Sequence, residues 1–143
     1  MAKRIITISR EFGSGGRFIG EEVAKKLGIA YYDKKIIHEI AEKEDCVIIG
    51  RNADFILKDR MDVLNVFIHG DMPEKIQRIC KLYHVTDTDA EKMINDTDKR
   101  RRANYNFYTE QKWGMAGNYT LSLNSSVLGY DMCQKVIMDC TKI

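Results

Sequence analysis

A glycine-rich stretch near the start of the chain has the residue types and spacing of an anion-binding loop. It follows an apolar run at 5–8, and a helical apolar pattern begins just after it at Ile19. Glycines let consecutive backbone N–H groups approach a ligand, and the positive end of the next helix dipole points at the same place. We therefore expect a phosphate group here. The loop residues and the cation that follows them are Gly13, Ser14, Gly15, Gly16 and Arg17.

The loop departs from the phosphate-loop pattern GxxxxGK[ST] at chemically important positions. When Gly16 and Arg17 are aligned with the GK pair, Glu11 stands at the first glycine and Phe18 replaces the hydroxyl that binds magnesium. Arginine still binds phosphate, as a planar fork rather than a point charge. Without the hydroxyl, magnesium needs another ligand or more water. The alternative is a glycine-rich turn between a strand and a helix that binds no ligand.

Two further charged residues stand at the ends of predicted strands. Asp33 ends a short extended run at 29–32, and Arg51 follows shortly after a continuous apolar strand at 46–49. Because α/β sheets bind ligands at the carboxyl ends of their strands, we expect Arg51 to bind a second phosphate group and Asp33 to face a second substrate. The alternative role for Asp33 is to cap a helix predicted over 34–44.

A basic cluster at 99–102 lies later in the chain, beside Asp96 and Asp98. A mobile arm that carries arginines onto a transferring phosphoryl group accelerates the transfer by roughly 10³ to 10⁵. A charged run on a helix is also typical of a solvated face, and this alternative stays open. The aromatic stretch at 104–118 is expected either to stack a base or to pack as a loop. The arginines of the cluster are Arg100, Arg101 and Arg102.

Strand and helix patterns alternate along the chain, which predicts an α/β fold with a mostly parallel sheet and helices on both faces. Two helix starts have capping-box spacing, at Asp71 with Glu74 and at Thr88 with Glu91. Gly28 is expected to end the first helix. Further strands are predicted at 63–68 and 119–123, and helices are predicted to begin at about 71 and 88 and to span about 129–142.

Composition narrows the function classes. The length of 143 residues fits one domain, 1–143, and 44% hydrophobic with 31% charged residues is ordinary for a soluble globular protein. The net charge of +2 gives no general affinity for nucleic acid, so a nucleic-acid-binding module would depend on 99–102 alone. The sequence has no apolar run of membrane-spanning length, and we expect a cytoplasmic protein. The cysteines have neither CxxC nor nearby histidine spacing, which argues against a zinc site or a redox dithiol.

Several stretches, in order and over most of the chain, resemble the cytidylate kinase-like family of P-loop nucleoside monophosphate kinases. The resemblance implies a three-layer P-loop nucleotide kinase fold. It also implies transfer of the γ-phosphoryl group of ATP, with Mg²⁺, to a nucleoside monophosphate, with cytidylate or a related small phosphorylated acceptor as the expected substrate. The matching stretches are ITISREFGSGGRFIGEEVAKKLG, YYDKKII, CVIIGRNADFIL, VFIHGDMPEKIQRI, DKRRRANYNFYTEQKWG and YTLSLNSSVLG.

The resemblance also implies roles for individual residues. Asp33 matches the acidic residue that ends the second strand near the acceptor, and residues 13–17 match the ATP phosphate loop. Arg51 resembles the acceptor-side arginine of a GRD motif, although Asn52 stands at its aspartate. The arginines of 99–102 belong to a lid-like segment at 86–118. The turn after the last strand, near the expected adenine pocket, is formed by Asn124 and Ser125.

One departure concerns the acceptor side. Cytidylate kinases have a substantial acceptor-binding insertion where this sequence has only 34–45 between its YYD and CVIIGR stretches. Either the segment, near 38–45, is truly short, or a stretch is missing from the sequence, and the intact flanking motifs favour the second explanation. With Phe18 at the hydroxyl position, a short acceptor region also leaves open a nucleotide-binding protein with degenerate or no kinase activity.

Overall fold

The computed structural model describes residues 2–33, 44–50 and 52–143. The predicted helix over 34–44 therefore lies outside the described residues except for Glu44. Arg51 also lies outside them. Within them, five strands form one parallel sheet in the order β2-β3-β1-β4-β5. The strands are β1 (Ile5–Arg10), β2 (Ala30–Tyr32), β3 (Cys46–Ile49), β4 (Val63–His69) and β5 (Leu121–Asn124).

Helices follow the strands and cover both faces of the sheet, as the alternating sequence pattern predicts. A short 3-10 turn at Ala116–Asn118 precedes β5. Gly28 ends the first helix in the left-handed conformation, which confirms its prediction as the C-cap. The helices are α1 (Gly16–Leu27), α2 (Ala53–Ile56), α3 (Met72–Tyr83), α4 (Asp87–Thr109), α5 (Ser125–Leu128) and α6 (Tyr130–Cys140).

Strand β1 is central and buried on both faces, because its side chains alternate between two cores. Ile6 and Ile8 pack with Ile19 and Val23 of α1 and with residues of α6. On the other face, a second core gathers residues of β1, β3, β4 and the α2 region. Helices α3 and α4 share a third, smaller core. Its buried members are Ile79, Ala90 and Ile94.

Several local predictions are wrong in detail. Helix α4 begins at Asp87, and the Thr86 hydroxyl, not that of Thr88, caps it by accepting from the backbone N–H of Asp89. Helix α4 then continues to Thr109, so the first part of the aromatic stretch at 104–118 is helical. Tyr83, the last residue of α3, is 52% exposed.

The start of α3 is as predicted, but the capping box does not form there. Asp71 is the N-cap residue, yet its side chain makes no capping hydrogen bond. Its carboxylate instead accepts a hydrogen bond from the Asn124 side-chain amide at 3.1 Å. Across the part of the chain that the structure describes, no helix combines the length and apolar character needed to cross a bilayer.

Candidate active site

The glycine loop joins β1 to α1 in a tight turn. Gly13 and Gly15 have φ of 85° and 79°, a region that side chains with a Cβ rarely adopt. A Cβ on Gly15 would lie 2.6 Å from the Tyr130 ring, and one on Gly13 would lie 3.0 Å from the carbonyl oxygen of Lys75. Both the backbone conformation and the packing therefore require glycine, and the α1 N-terminus faces the turn.

Helix α1 begins at Gly16, with Gly15 as its N-cap. In a phosphate loop the glycine of the GK pair ends the loop and the lysine follows it into the helix. The helix start thus favours a second alignment, in which Gly16 stands at the lysine position and Arg17 at the hydroxyl position, one residue away from the alignment of Gly16 and Arg17 with the GK pair. The sequence alone does not separate the two alignments, because either Gly15 or Gly16 can be matched to the glycine of the GK pair.

Side-chain hydroxyls hold the loop in place. Ser14 is buried; its hydroxyl donates to the carbonyl oxygen of Glu11 at 2.7 Å and accepts from the Gly16 N–H at 3.3 Å. The buried Ser125 hydroxyl lies 2.5 Å from the carbonyl oxygen of Ser14 and donates to it. Asn124 caps α5 by accepting from two backbone N–H groups. The side chains of Ser14, Asn124 and Ser125 thus bond to the protein itself, and their predicted contact with a nucleotide stays a prediction.

We expect Ser125→Ala to lower the free energy of unfolding by about 1 to 3 kcal/mol, because the buried carbonyl of Ser14 loses its donor. Urea denaturation measures this change. Ser122→Ala, on the exposed part of β5, is the matched control and should change stability by less than about 0.5 kcal/mol. Equal stability of Ser125→Ala and the parent would contradict the structural role of this hydroxyl.

A cavity of about 400 Å³ lies between the loop, the carboxyl end of β3 and helix α4. It brings together four of the predicted site residues from distant parts of the sequence. Ser9 and Trp113 also contribute to its wall. The predicted residues that line it are Arg17, Asp33, Arg100 and Arg101.

Arg17 and Asp33 form an ion pair at one edge of this cavity. Arg17 Nη2 lies 2.6 Å from Asp33 Oδ2, and its Nε lies 3.8 Å from Glu21 on the same helix. The Arg17 side chain remains largely exposed. Asp33 follows the edge strand β2, as predicted, so its carboxylate faces the loop. The pair positions a cation and a carboxylate at the same edge of the cavity.

A smaller cavity of about 230 Å³ lies on the other side of the loop, against helix α3. Its wall includes Gly13, Gly15 and Phe18. Three arginines line this cavity and the larger one, so they stand at the boundary between the two spaces. They are Arg10, Arg17 and Arg101.

Arg10 is a residue that the sequence analysis missed. It is the last residue of β1, and the carbonyl oxygen of Arg10 accepts a hydrogen bond from Arg101 Nη1 at 2.9 Å. Burial, together with the positive charges of Arg101 and Arg17, lowers the pKa of Arg10 to about 10. A charged residue at the carboxyl end of the strand before the loop was the available signal.

The arginines of the basic cluster on α4 face different cavities. Arg101 is partly buried; its guanidinium lies 5.7 Å from the Phe12 ring centroid, and burial lowers its pKa. Arg100 is exposed at the rim of the larger cavity. Arg102 instead lies over Trp113, at 5.6 Å, and lines a separate cavity. Arg102 therefore does not join the other arginines, and its catalytic role stays a prediction.

Two carboxylates fasten the loop to helices α3 and α4. Asp98 on α4 is buried and accepts a hydrogen bond from the Phe12 N–H at 2.8 Å. Burial raises the pKa of Asp98. Glu11 accepts from Lys75 Nζ and from the Gly70 N–H, both at 3.0 Å. Glu11, expected to stand at a glycine position of the loop, thus ties the loop to the start of α3.

Tyr105, which lines the larger cavity, forms a buried polar pair with Asp54. The Tyr105 hydroxyl donates to Asp54 Oδ2 at 2.7 Å, and both residues are buried. Burial raises the pKa of Asp54, although the hydrogen bond from Tyr105 opposes this shift. Burial also raises the pKa of Tyr105, and Asp54 adds to that effect. This pair fixes α4 against the α2 region beneath the arginines.

The raised pKa of Asp54 predicts a pH-dependent effect of Asp54→Asn. The folded protein holds this proton more tightly than the unfolded chain, so stability falls as pH rises from the unfolded value of about 3.9 through the folded value. Asparagine keeps an oxygen that accepts from Tyr105 but does not ionise. The stability of Asp54→Asn relative to the parent should therefore increase as pH rises from 4 to 7. Parallel pH profiles in urea denaturation would contradict this.

An aromatic and cationic cluster borders the smaller cavity. The Arg78 guanidinium lies 5.1 Å from the Tyr130 ring centroid and 5.9 Å from that of Phe18. Arg78 Nη1 also donates to the Tyr130 hydroxyl at 3.1 Å. Flat, polarisable groups of this kind stack with aromatic bases. Beside Tyr130 and Ser125 lies a further cavity of about 220 Å³.

In the part of the chain that the structure describes, no three His, Cys, Asp or Glu side chains form a group that could hold a metal ion. Magnesium in phosphotransferases is usually held by substrate phosphates, water and one or two carboxylates. Asp33 lines the larger cavity and is a carboxylate of this kind. Asp33 already pairs with Arg17, so substrate phosphates and water would have to supply most ligands of a magnesium ion that arrives with a nucleotide.

A protein family resembles this chain in sequence, and solved structures resemble it in fold. The model of the cytidylate kinase-like family matches residues 5–44 and 35–127. The structure is similar to that of an uncharacterized protein from Eubacterium ventriosum ATCC 27560, with a TM-score of 0.91, 28% identity and 98% of each chain covered. A search of curated proteins finds no match.

More distant similarity extends to small-molecule kinases. Shikimate kinase from Bacteroides thetaiotaomicron has a TM-score of 0.62 at 15% identity, with 97% of this chain and 98% of that chain covered. A gluconokinase from Sinorhizobium meliloti 1021 has a TM-score of 0.60 at 13% identity, with 98% and 92% covered. These likenesses show the P-loop kinase fold predicted from the sequence. Because the family match spans most of its length, the chain belongs to the cytidylate kinase-like family.

Proposed function

We propose that the protein transfers the γ-phosphoryl group of ATP to a nucleoside monophosphate, with cytidylate or a related small phosphorylated acceptor as its substrate. One observation carries the proposal: Arg10, Arg17 and Arg101 line both the cavity beside α3 and the larger cavity. A phosphoryl group that passes between a donor and an acceptor must cross such a boundary. Cations there stabilise the charge of the transferring group.

In this proposal the loop side holds the donor. The backbone N–H groups of 13–16 and the N-terminus of α1 bind the ATP phosphates, as the resemblance implies. The base extends toward Arg78 and Tyr130, near the turn that carries Asn124 and Ser125. Magnesium, bound to the phosphates and water, would be held by Asp33 and would offset their negative charge.

The larger cavity holds the acceptor. Its cationic wall favours an acceptor that already carries a phosphate group, because arginines recognise phosphate with bidentate hydrogen bonds. Arg100 and Arg101 approach it from α4, within the proposed lid-like segment at 86–118. Arg17 shares its charge with Asp33, and Arg51 is proposed as the acceptor-side arginine from the resemblance. Catalysis then proceeds by positioning and electrostatics, without a covalent enzyme intermediate.

A nucleotide-binding protein with degenerate or no kinase activity is the second candidate. One observation favours it: the loop carries glycine at the lysine position, Gly16, and arginine at the hydroxyl position, Arg17. A loop that lacks both groups can bind phosphate through its N–H groups alone. The two candidates differ in turnover and agree on nucleotide binding.

A panel of acceptors tests the proposal. The protein would be mixed with ATP, Mg²⁺ and each nucleoside monophosphate, and also with shikimate and gluconate, and ADP release would be followed in a coupled assay. ADP release that depends on a nucleoside monophosphate, strongest with cytidylate, supports the proposal. Transfer to shikimate or gluconate alone would show that the acceptor is not a phosphorylated compound. ATP binding by calorimetry without ADP release in any mixture would favour the binding protein.

A further inference from the structure

We propose that Arg10 supplies, from the end of β1, the cation that a lysine supplies from the start of the helix in the standard phosphate loop. The inference rests on the proposed function, because it assigns the residue that holds the donor phosphates. It explains how a loop with glycine at the lysine position can still bind a polyphosphate.

Gly16 packs directly against the side chain of Arg10. A Cβ on Gly16 would lie 2.5 Å from Arg10 Cβ and 2.9 Å from Arg10 Cγ. Real Cβ atoms essentially never make such short contacts, so the space where a lysine side chain would leave the helix is filled by the stem of Arg10. Arginine at 10 and lysine at 16 therefore exclude each other, and glycine at 16 is the partner that Arg10 requires.

The guanidinium group of Arg10 extends to Gly50. Its Nη1 lies 2.8 Å from the position that a Cβ on Gly50 would occupy, just past the end of β3. The side chain thus extends from Gly16 to Gly50, and both Arg10 and Gly50 line the larger cavity. Because Arg10 also lines the cavity on the α3 side, its guanidinium can reach a phosphate chain that lies along the loop.

Charged side chains of both signs lie near Arg10. Burial is the largest cause of the lowered pKa of Arg10; the positive charges of Arg101 and Arg17 add to this shift, and Tyr31 and Asp33 oppose it. Three guanidinium groups that line the same boundary repel one another. A bound polyphosphate removes this repulsion and supplies acceptors for the guanidinium donors, so the cluster is more favourable with the anion than without it.

Calorimetric titration with inorganic tripolyphosphate and with ATP tests the proposal without requiring turnover. We expect Arg10→Met to weaken both affinities by roughly 10- to 100-fold, as for the loss of a charge-assisted hydrogen bond. Arg4→Met is the matched control, because Arg4 precedes the same strand but pairs with Asp45 and Asp62 at the opposite end. Folded Arg10→Met with parental affinity for tripolyphosphate would overturn the inference.

A double variant keeps the test valid if Arg10→Met does not fold. Arg10→Gly with Gly16→Lys moves the cation to the helix start and removes the stem that blocks it. We expect this variant to bind ATP within about tenfold of the parent, and Gly16→Lys alone to lose stability or affinity. If the double variant folds but binds no better than Arg10→Gly, the inference is wrong.

These outcomes separate the inference from the proposed function. A parent protein that binds neither tripolyphosphate nor ATP would contradict the proposed function itself. A parent that binds and transfers phosphoryl groups, with an Arg10→Met variant that does so equally well, would contradict the role of Arg10 alone.

Discussion

Arg101→Ala is expected to lower kcat/KM for phosphoryl transfer by roughly 10²- to 10³-fold, the range for removal of one preorganised donor from an active site. Arg101 is half-buried, its guanidinium bonds to the carbonyl oxygen of Arg10, and it lines both cavities. Alanine removes a cation from the boundary and a donor that holds the end of β1. Steady-state kinetics with ATP and the preferred acceptor measure the effect.

The matched control is Lys99→Ala, which removes an exposed cation from the same helix. We expect it to change kcat/KM by less than about threefold, as for a charge that salt screens in solvent. If both variants lose activity equally, net charge on α4 matters rather than the position of Arg101. If neither loses activity, Arg101 has no part in the transfer.

Glu11→Ala is expected to lower the free energy of unfolding by about 2 to 4 kcal/mol, because it leaves a buried ammonium group without its counterion. Lys75 is 5% exposed, and its Nζ lies 3.0 Å from Glu11 Oε1. The same oxygen accepts from the Gly70 N–H, so alanine also leaves a backbone donor unpaired. Urea denaturation at neutral pH measures the change.

Two further variants separate charge from hydrogen bonding. Glu11→Gln keeps an acceptor for Gly70 and should lose less stability than Glu11→Ala. Adding Lys75→Met to Glu11→Gln removes the buried charge and should restore much of the loss, because replacing both members of a buried pair is often neutral. A Glu11→Ala protein as stable as the parent would show that the ion pair contributes nothing to folding.

The fold was largely predictable because its signals are local and repeated. The run Cys46–Ile49 is continuous and apolar, as a strand buried on both faces requires, and the structure places it beside β1. The start of α4 was harder. Thr86 and Thr88 are both followed three residues later by an acidic residue, so only the backbone decides which of them caps the helix.

The site was predicted in part, for geometric reasons. Asp33 and Arg101 follow from strand ends and charge runs, and the structure brings them to one cavity. The direction of Arg102 did not follow, because neighbouring helix residues point about 100° apart and the phase depends on tertiary packing. Arg10 was missed because its proposed role depends on how its side chain packs against Gly16. A sequence motif does not show such a tertiary contact.

The function proposed for this chain is transfer of a phosphoryl group from ATP to a nucleoside monophosphate across the arginine-lined boundary. The most direct measurement uses ATP labelled at the γ-phosphate, with cytidylate and Mg²⁺, and separates the nucleotides after incubation. We expect the parent protein to form labelled cytidine diphosphate, and Arg101→Ala to form much less of it. Label that stays in ATP with every nucleoside monophosphate, in a protein that binds ATP, would contradict it.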